Sequence, residues 1–275
     1  MVSLRYLYAM DPNAPESRPS GAQITTDFGF RRVRASDKSA LVRAVFDGVA
    51  DRYDLMNDLM SFGIHRLWKH TLLDWLAPQA GMRLLDVAGG TGDVALRFLA
   101  RVQDKPGSGQ RPSEAIVCDV NQAMMQIGRS RALDRGIVQN LSFVCGSAEN
   151  LPVASRAVDA CTIAFGLRNV TDFRKALAEM YRVLTPGGRF LCLEFSRVDT
   201  PILAALYDRY SFSVVPVLGR VVAGNEEAYR YLVESIRRFP DADSLAAMMR
   251  EAGFGRVRYR LLSGGVAALH SAWRL

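Results

Sequence analysis

Lysine, histidine and cysteine are scarce in this chain of 275 residues, and each scarcity excludes something. Only Lys38, Lys69, Lys105 and Lys175 are lysines, so the net charge of +7 rests almost wholly on arginine. The arginines are scattered, whereas nucleic-acid binders gather positive charge on one patch or helix. The spread fits biased composition, or a basic face toward an anionic substrate, lipid headgroups or RNA. The cysteines Cys118, Cys145, Cys161 and Cys192 form no C-x-x-C pair, and the three histidines add no ligand spacing. Neither a metal site nor a disulfide framework is therefore expected. Each cysteine stands in its own apolar segment, which suits a buried free thiol in a reducing compartment. Charge-free runs reach only 13 residues, at Gly136 to Ala148 and Leu261 to Trp273. A membrane-crossing helix needs about 20 apolar residues. The 49% hydrophobic and 23% charged composition is that of a globular protein.

Residues 1–35 have no sustained apolar stretch, and Arg5 is accompanied by Asp11 and Glu16. This excludes a secretory signal and fits a transit peptide poorly. With Pro12, Pro15 and Pro19 the segment reads as a flexible extension. Residues 36–70 read as a helical cap. Val42, Val45, Phe46 and Val49 repeat at i, i+3, i+4, i+7, and Asp51 to His70 continues in helical pieces broken near Gly63. Residues 71–275 read as one α/β domain. Strands are expected at 83–88, 115–118, 141–145, 158–165, 189–195, 256–261 and 266–273. Helices are expected at about 93–103, 122–135, 173–184, around Tyr229–Ile236 and Leu245–Ala252, with a surface loop at 104–114. Alternation at this spacing means right-handed βαβ units. The last two strands are too close for a helix between them and form a hairpin. The expected architecture is a Rossmann-like, seven-stranded, mostly parallel sheet with one antiparallel strand.

The string Asp86-Val87-Ala88-Gly89-Gly90-Thr91-Gly92 lies between a strand and a helix. Its glycines permit a sharp turn and close backbone approach to a ligand. It matches neither the P-loop nor G-x-G-x-x-G, which weakens a pyrophosphate ligand. The next strand ends at Asp119. An acid there accepts hydrogen bonds from a ribose diol and repels phosphate. Asp119 also reads as a helix N-cap, and the glycine loop as a tight packing turn. A ribose clamp without a phosphate cradle suits S-adenosylmethionine, its amino-acid end on the loop and Thr91. Its adenine would lie near Ser147-Ala148-Glu149-Asn150-Leu151-Pro152.

These residues resemble class I S-adenosylmethionine-dependent methyltransferases. Longer strings narrow the resemblance: Val45 to Lys69, Phe165-Gly166-Leu167-Arg168-Asn169-Val170, Arg182 to Arg189, and Tyr229 to Ile236. Together they resemble the UbiE-type C-methyltransferases of ubiquinone and menaquinone biosynthesis, over about residues 27–275. The resemblance implies methyl transfer from S-adenosyl-L-methionine to a ring carbon of a polyprenylated quinol, either demethylmenaquinol or 2-methoxy-6-polyprenyl-1,4-benzoquinol. It implies cofactor contacts from Thr91, Asp119, Ser147 and Ala148, to which position adds Asp86, Gly89, Gly90, Gly92 and Val120. Ala164 stands where some members carry serine. The extension before Asp27 and the 104–114 loop are longer than in compact bacterial members.

A sulfonium methyl is already activated, so the protein must activate the carbon nucleophile. Deprotonating a quinol hydroxyl, with a pKa of about 10 by analogy with tyrosine, pushes electron density onto the ring. Arg168 and Asn169 follow the fourth strand, where charge and donors would stabilise the phenolate. Guanidinium does not give up its proton, so water or Asp54 is the expected acceptor, with Tyr53 on the ring hydroxyl. Arg168 also reads as a salt-bridge partner, for example of Asp172; Tyr53 as a core aromatic; His65 as a cap or packing histidine rather than a base. Tyr207 to Val222 reads as a lid and prenyl channel, or as a buried connection. A cytoplasmic protein in loose contact with the anionic inner face of the membrane is expected, and a homodimer is compatible. Competing readings are an NAD-dependent oxidoreductase, a non-catalytic subunit of a quinone-biosynthesis assembly, a methyltransferase of another small aromatic, and one acting on RNA. The missing G-x-G-x-x-G argues against the first and the lack of a basic aromatic patch against the last.

Overall fold

A computed structural model of the chain describes residues 25–47, 58, 61, 63–103, 111–196 and 226–275. Tyr53, Asp54, residues 104–110 and the stretch 207–222 lie outside the described residues.

Near-continuous apolar runs make the centre of the sheet. In β3 (Arg83–Val87) and β6 (Val158–Ala164) almost every residue is buried, as in strands covered on both faces. Beside them lie β4 (Glu114–Asp119), β5 (Leu141–Cys145) and β7 (Leu184–Phe195), and beyond β7 come β8 (Gly255–Leu262) and β9 (Ala267–Trp273). The order is β5-β4-β3-β6-β7-β9-β8. The first five are parallel in register, and β9 runs antiparallel to both β7 and β8. This is the sheet expected from the sequence. The chain leaves β3 toward β4 and β5, then returns to β6 on the other side. A crevice opens at such a switch point, at the carboxyl ends of the strands.

Alternate side chains feed two cores. Leu84, Leu191 and Leu193 meet Leu72, Leu73, Phe98 and Tyr229 on one face; Leu85, Phe190 and Cys192 meet Leu177, Met180, Leu245 and Met249 on the other. The covering helices are α1 (Ala35–Asp47), α2 (His65–Leu76), α3 (Asp93–Gln103), α4 (Gln122–Asp134), α5 (Phe173–Val183), α6 (Glu226–Arg238) and α7 (Ala242–Glu251). Among the described residues no helix is long and apolar enough to cross a membrane.

Four expectations are corrected. Residues 25–34, read as part of a flexible extension, form the hairpin of β1 (Thr25–Phe28) and β2 (Arg31–Arg34), turning at Gly29 with φ +58°. Phe28 anchors it by stacking on Tyr231 of α6, ring centres 4.3 Å apart. Helix α2 runs unbroken across residue 70, the expected end of the cap. Extended pairing starts at Leu184 opposite Val158, five residues before the expected strand, with an irregularity over Pro186-Gly187-Gly188. Cys145 is exposed, because β5 is an edge strand; the other three cysteines are buried and all four are free.

Candidate active site at the carboxyl ends of the strands

The loop takes a left-handed backbone that glycine permits at two of its three positions and that alanine adopts at a cost. Ala88, Gly90 and Gly92 all have positive φ, at 49°, 54° and 74°. A Cβ on Gly89 would lie 2.8 Å from Asp86 Oδ2 and 2.9 Å from Val117 Cγ1. The Gly90 N–H donates to Asp119 Oδ2 at 2.8 Å, and the Asn121 N–H donates to Oδ1 at 2.8 Å. The carboxylate is thus locked at the end of β4 with lone pairs to spare. Burial raises Asp119 above the usual carboxylate range despite these amides.

Two adjoining cavities of about 90 and 70 Å³ open beside this lock. Both are lined by Ala88, Asp119, Val120, Gly166 and Asn169, and by Val42 of α1. Ser147, Ala148 and Glu149 complete the first; Gly90, Phe46 and Phe165 belong to the second. Asp119 lines both cavities and Glu149 the first, while the exposed Arg43 lines the second. Such a lining suits a cationic nucleoside better than a phosphate. A larger cavity, about 420 Å³, lies at the opposite ends of the strands, around Ser113 and Asn140. It shares no lining residue with the two smaller ones.

Thr91 and Gly92 line neither of the two small cavities. The Thr91 hydroxyl accepts from Arg131 of α4 at 3.2 Å, and Gly92 backs onto Val117 and Phe143. They shape the loop from behind. Asp86 lies beneath it. Its Oδ1 accepts from Thr162 Oγ1 at 2.8 Å, while Oδ2 is buried without a donor among the described residues. Burial pushes this carboxyl up to about 7. Neighbouring Asp93 shows the contrast: burial would raise it, but Lys69 at 3.0 Å and Arg97 at 2.8 Å hold it at about 2. An orphaned acceptor under a glycine loop fits the ammonium end of an amino acid.

Beyond β6 a 3-10 turn, Leu167–Asn169, follows Phe165, whose φ is +59°. Arg168 is buried and does not face the two cavities. Its guanidinium donates to Glu194 Oε1 at 2.6 Å and to the Phe165 carbonyl at 2.7 Å, and its N–H donates to Glu194 Oε2 at 3.1 Å. The ion pair is therefore with Glu194 of β7; Asp172 instead caps α5, accepting from the Lys175 N–H. Asn169 reaches both cavities, and its Oδ1 accepts from Tyr231 Oη at 3.1 Å. His65 opens α2 with its N–H on Ser61 Oγ, and its buried ring sets Nδ1 3.1 Å from Ser61 Oγ and 3.4 Å from Asp58 Oδ1.

Sequence reading missed Asn121, Glu194 and Tyr231, and named Glu149 only within the stretch placed near the adenine. A single carboxylate in the apolar run Leu191 to Phe195 demands a buried cation, and that signal pointed to Glu194.

A family model described as the ubiE/COQ5 methyltransferase family matches residues 31–274. The chain belongs to this family. It is 55% identical over 250 residues to the ubiquinone/menaquinone biosynthesis C-methyltransferase UbiE of Paracoccus denitrificans, covering 91% of this chain and 97% of that one. It is 50% identical over 277 residues to the mitochondrial 2-methoxy-6-polyprenyl-1,4-benzoquinol methylase of Danio rerio, covering 91% and 85%. The fold also matches a SAM-dependent methyltransferase from Thermotoga maritima, with TM-score 0.57, 20% identity and coverage of 84% and 99%. It matches a Haemonchus contortus phosphoethanolamine N-methyltransferase solved with S-adenosyl-L-methionine, with TM-score 0.55, 12% identity and coverage of 75% and 52%. Within the ubiE/COQ5 family this chain therefore carries a class I methyltransferase sheet.

Proposed function

We propose that this protein methylates a ring carbon of a polyprenylated quinol of ubiquinone or menaquinone biosynthesis, using S-adenosyl-L-methionine. The supporting observation is Asp119, locked on the Gly90 amide beside an acid-lined cavity, in a chain half identical to quinol C-methyltransferases. The cofactor, when bound, supplies an electrophilic methyl group on a sulfonium. Asp119 holds its ribose diol, with Val120, Ser147 and Ala148 flanking the adenine. Gly89 and Gly90 offer backbone to the amino-acid end, Thr91 and Gly92 set the loop's curvature, and Asp86 Oδ2 accepts from the ammonium.

Asn169 faces the reacting side and orients the quinol ring. Tyr53 donates to the ring hydroxyl oxygen, and water or Asp54 takes its proton. The ring carbon then takes the methyl as its bond to sulfur breaks, the electron pair staying on sulfur as a neutral thioether. The ring proton passes to water or Asp54, which restores aromaticity, and the ring oxygen regains a proton. Arg168 is neutralised by Glu194, so its task is to hold the turn rather than to meet the phenolate. The remaining acceleration comes from alignment. The protein works in the cytoplasm, touching the inner membrane face where its substrate resides. Incubation with deuterated-methyl cofactor and each quinol core tests this: one ring gains a single labelled methyl on carbon. Labelling on oxygen, or of neither core, would refute it.

Asp86 gives the reading a pH signature. Its carboxyl ionises at about 7 when folded, above its ordinary 3.8. Cofactor affinity should rise between pH 6 and pH 8 as the carboxylate forms. Stability without cofactor should move oppositely, because a raised carboxyl contributes fully below 3.8 and loses that contribution as pH climbs through about 7. In Asp86→Asn both trends flatten. A wild-type affinity independent of pH would remove Asp86 from cofactor binding.

A further inference from the structure

Lys38, on α1, is only 4% exposed. Its Nζ donates to the Val170 carbonyl at 2.8 Å and lies 5.9 Å from the centre of the Phe173 ring. Burial lowers its pKa, opposed by Asp27 and Glu149. An ammonium so enclosed is costly. If α1 merely needed filling at this point, leucine or methionine would do it at less cost.

The segment it grips is the one that carries Asn169, and three other groups grip it too. Glu194 of β7 accepts from the Arg168 N–H. Glu149 Oε1 accepts from the N–H groups of Thr171 at 2.9 Å and Asp172 at 3.2 Å. Tyr231 of α6 donates to Asn169 Oδ1. Of the four, Lys38 alone comes from α1, whose Val42 borders both cofactor cavities. At the far end of α1, Asp47 Oδ1 accepts from Asn121 Nδ2 at 2.7 Å, next to the ribose acid Asp119. The helix is therefore pinned at one end to the cofactor lock and at the other to the turn facing the substrate.

We propose that Lys38 is a positioning residue that, through the Val170 carbonyl, fixes the turn presenting Asn169 and couples enclosure of the cofactor by α1 to the geometry of methyl transfer. The inference builds on the proposed function, but its physical core is testable without substrate. Hydrogen exchange of the 166–172 amides in Lys38→Met should rise at least tenfold, with β3 and β6 unchanged. The kcat should fall at least tenfold, while the cofactor Kd stays within threefold and the thermal midpoint within a few degrees. Lys38→Arg, which keeps a cationic donor, should restore protection and most of kcat. Unchanged exchange in Lys38→Met overturns the proposal, as does unchanged kcat despite loosened amides. Should Lys38→Met fail to fold, Lys38→Arg decides alone: wild-type protection and kcat support the anchor, and loss of both in a folded protein overturns it. Wild-type protein inert on both quinol cores would sink the substrate reading, while the exchange data still judge the anchor.

Discussion

Replacing Arg168 by alanine should lower the thermal midpoint by about 10 °C at pH 7.5, besides abolishing most turnover. Both side chains of the Arg168–Glu194 pair are about 1% exposed, with a 2.6 Å contact. Removing one partner of such a pair strands a buried charge and costs about 3–5 kcal/mol. For a chain of this size each kcal/mol moves the midpoint by about 2–4 °C. Burial already raises Glu194, and Arg168 opposes that. Without the arginine its folded pKa climbs further, so stability is kept at low pH and lost as pH rises. The deficit should therefore shrink at pH 5. The double variant Arg168→Met/Glu194→Gln removes both charges, keeps an acceptor for the Arg168-position amide, and should recover most of the loss. Calorimetric scans of the three proteins check this. A single variant within 2 °C of wild type, or a double variant no better than the single, contradicts it.

That pair marks where sequence reading stops. Arg168 is recognisable as a charged residue at a strand end, but its partner is 26 residues away on another strand. Nothing local chooses Glu194 over Asp172; only the β6–β7 register does. The central sheet was legible because strands buried on both faces are written as unbroken apolar runs, as in Val158 to Ala164. The β1–β2 hairpin was not. Its strands read Thr-Thr-Asp-Phe and Arg-Arg-Val-Arg, and its support comes from Tyr231 and Glu234, about two hundred residues on. Asp119 was legible as a candidate because it closes the strand after the glycine loop; the sequence equally allowed a helix cap there, and the structure gives that cap to Asn121. The orientation of Thr91 was not, since it depends on Arg131 and on Gly128 letting α4 come close.

Asp119→Ala should weaken S-adenosylmethionine binding at least 100-fold while the sheet stays intact. Hydrogen bonds to a charged group are worth about 1.5–3 kcal/mol each. A ribose diol would lose two, and every 1.4 kcal/mol is about tenfold in affinity. The Gly90 N–H loses its acceptor as well, so the loop itself loosens. Asp119→Asn should be almost as damaging. Its amide would turn one N–H donor toward either Gly90 N–H or Asn121 N–H, which are donors themselves. Titration calorimetry reads both effects, and a Kd within tenfold of wild type for the alanine variant would disprove the assignment.

The most direct test compares two ligands on the wild-type protein. Titrated with S-adenosylmethionine and then with NAD, it should bind one equivalent of the first and give no saturable heat with the second. Heat from NAD alone would mean that Asp119 and the glycine loop cradle a dinucleotide, and the proposed chemistry would fall.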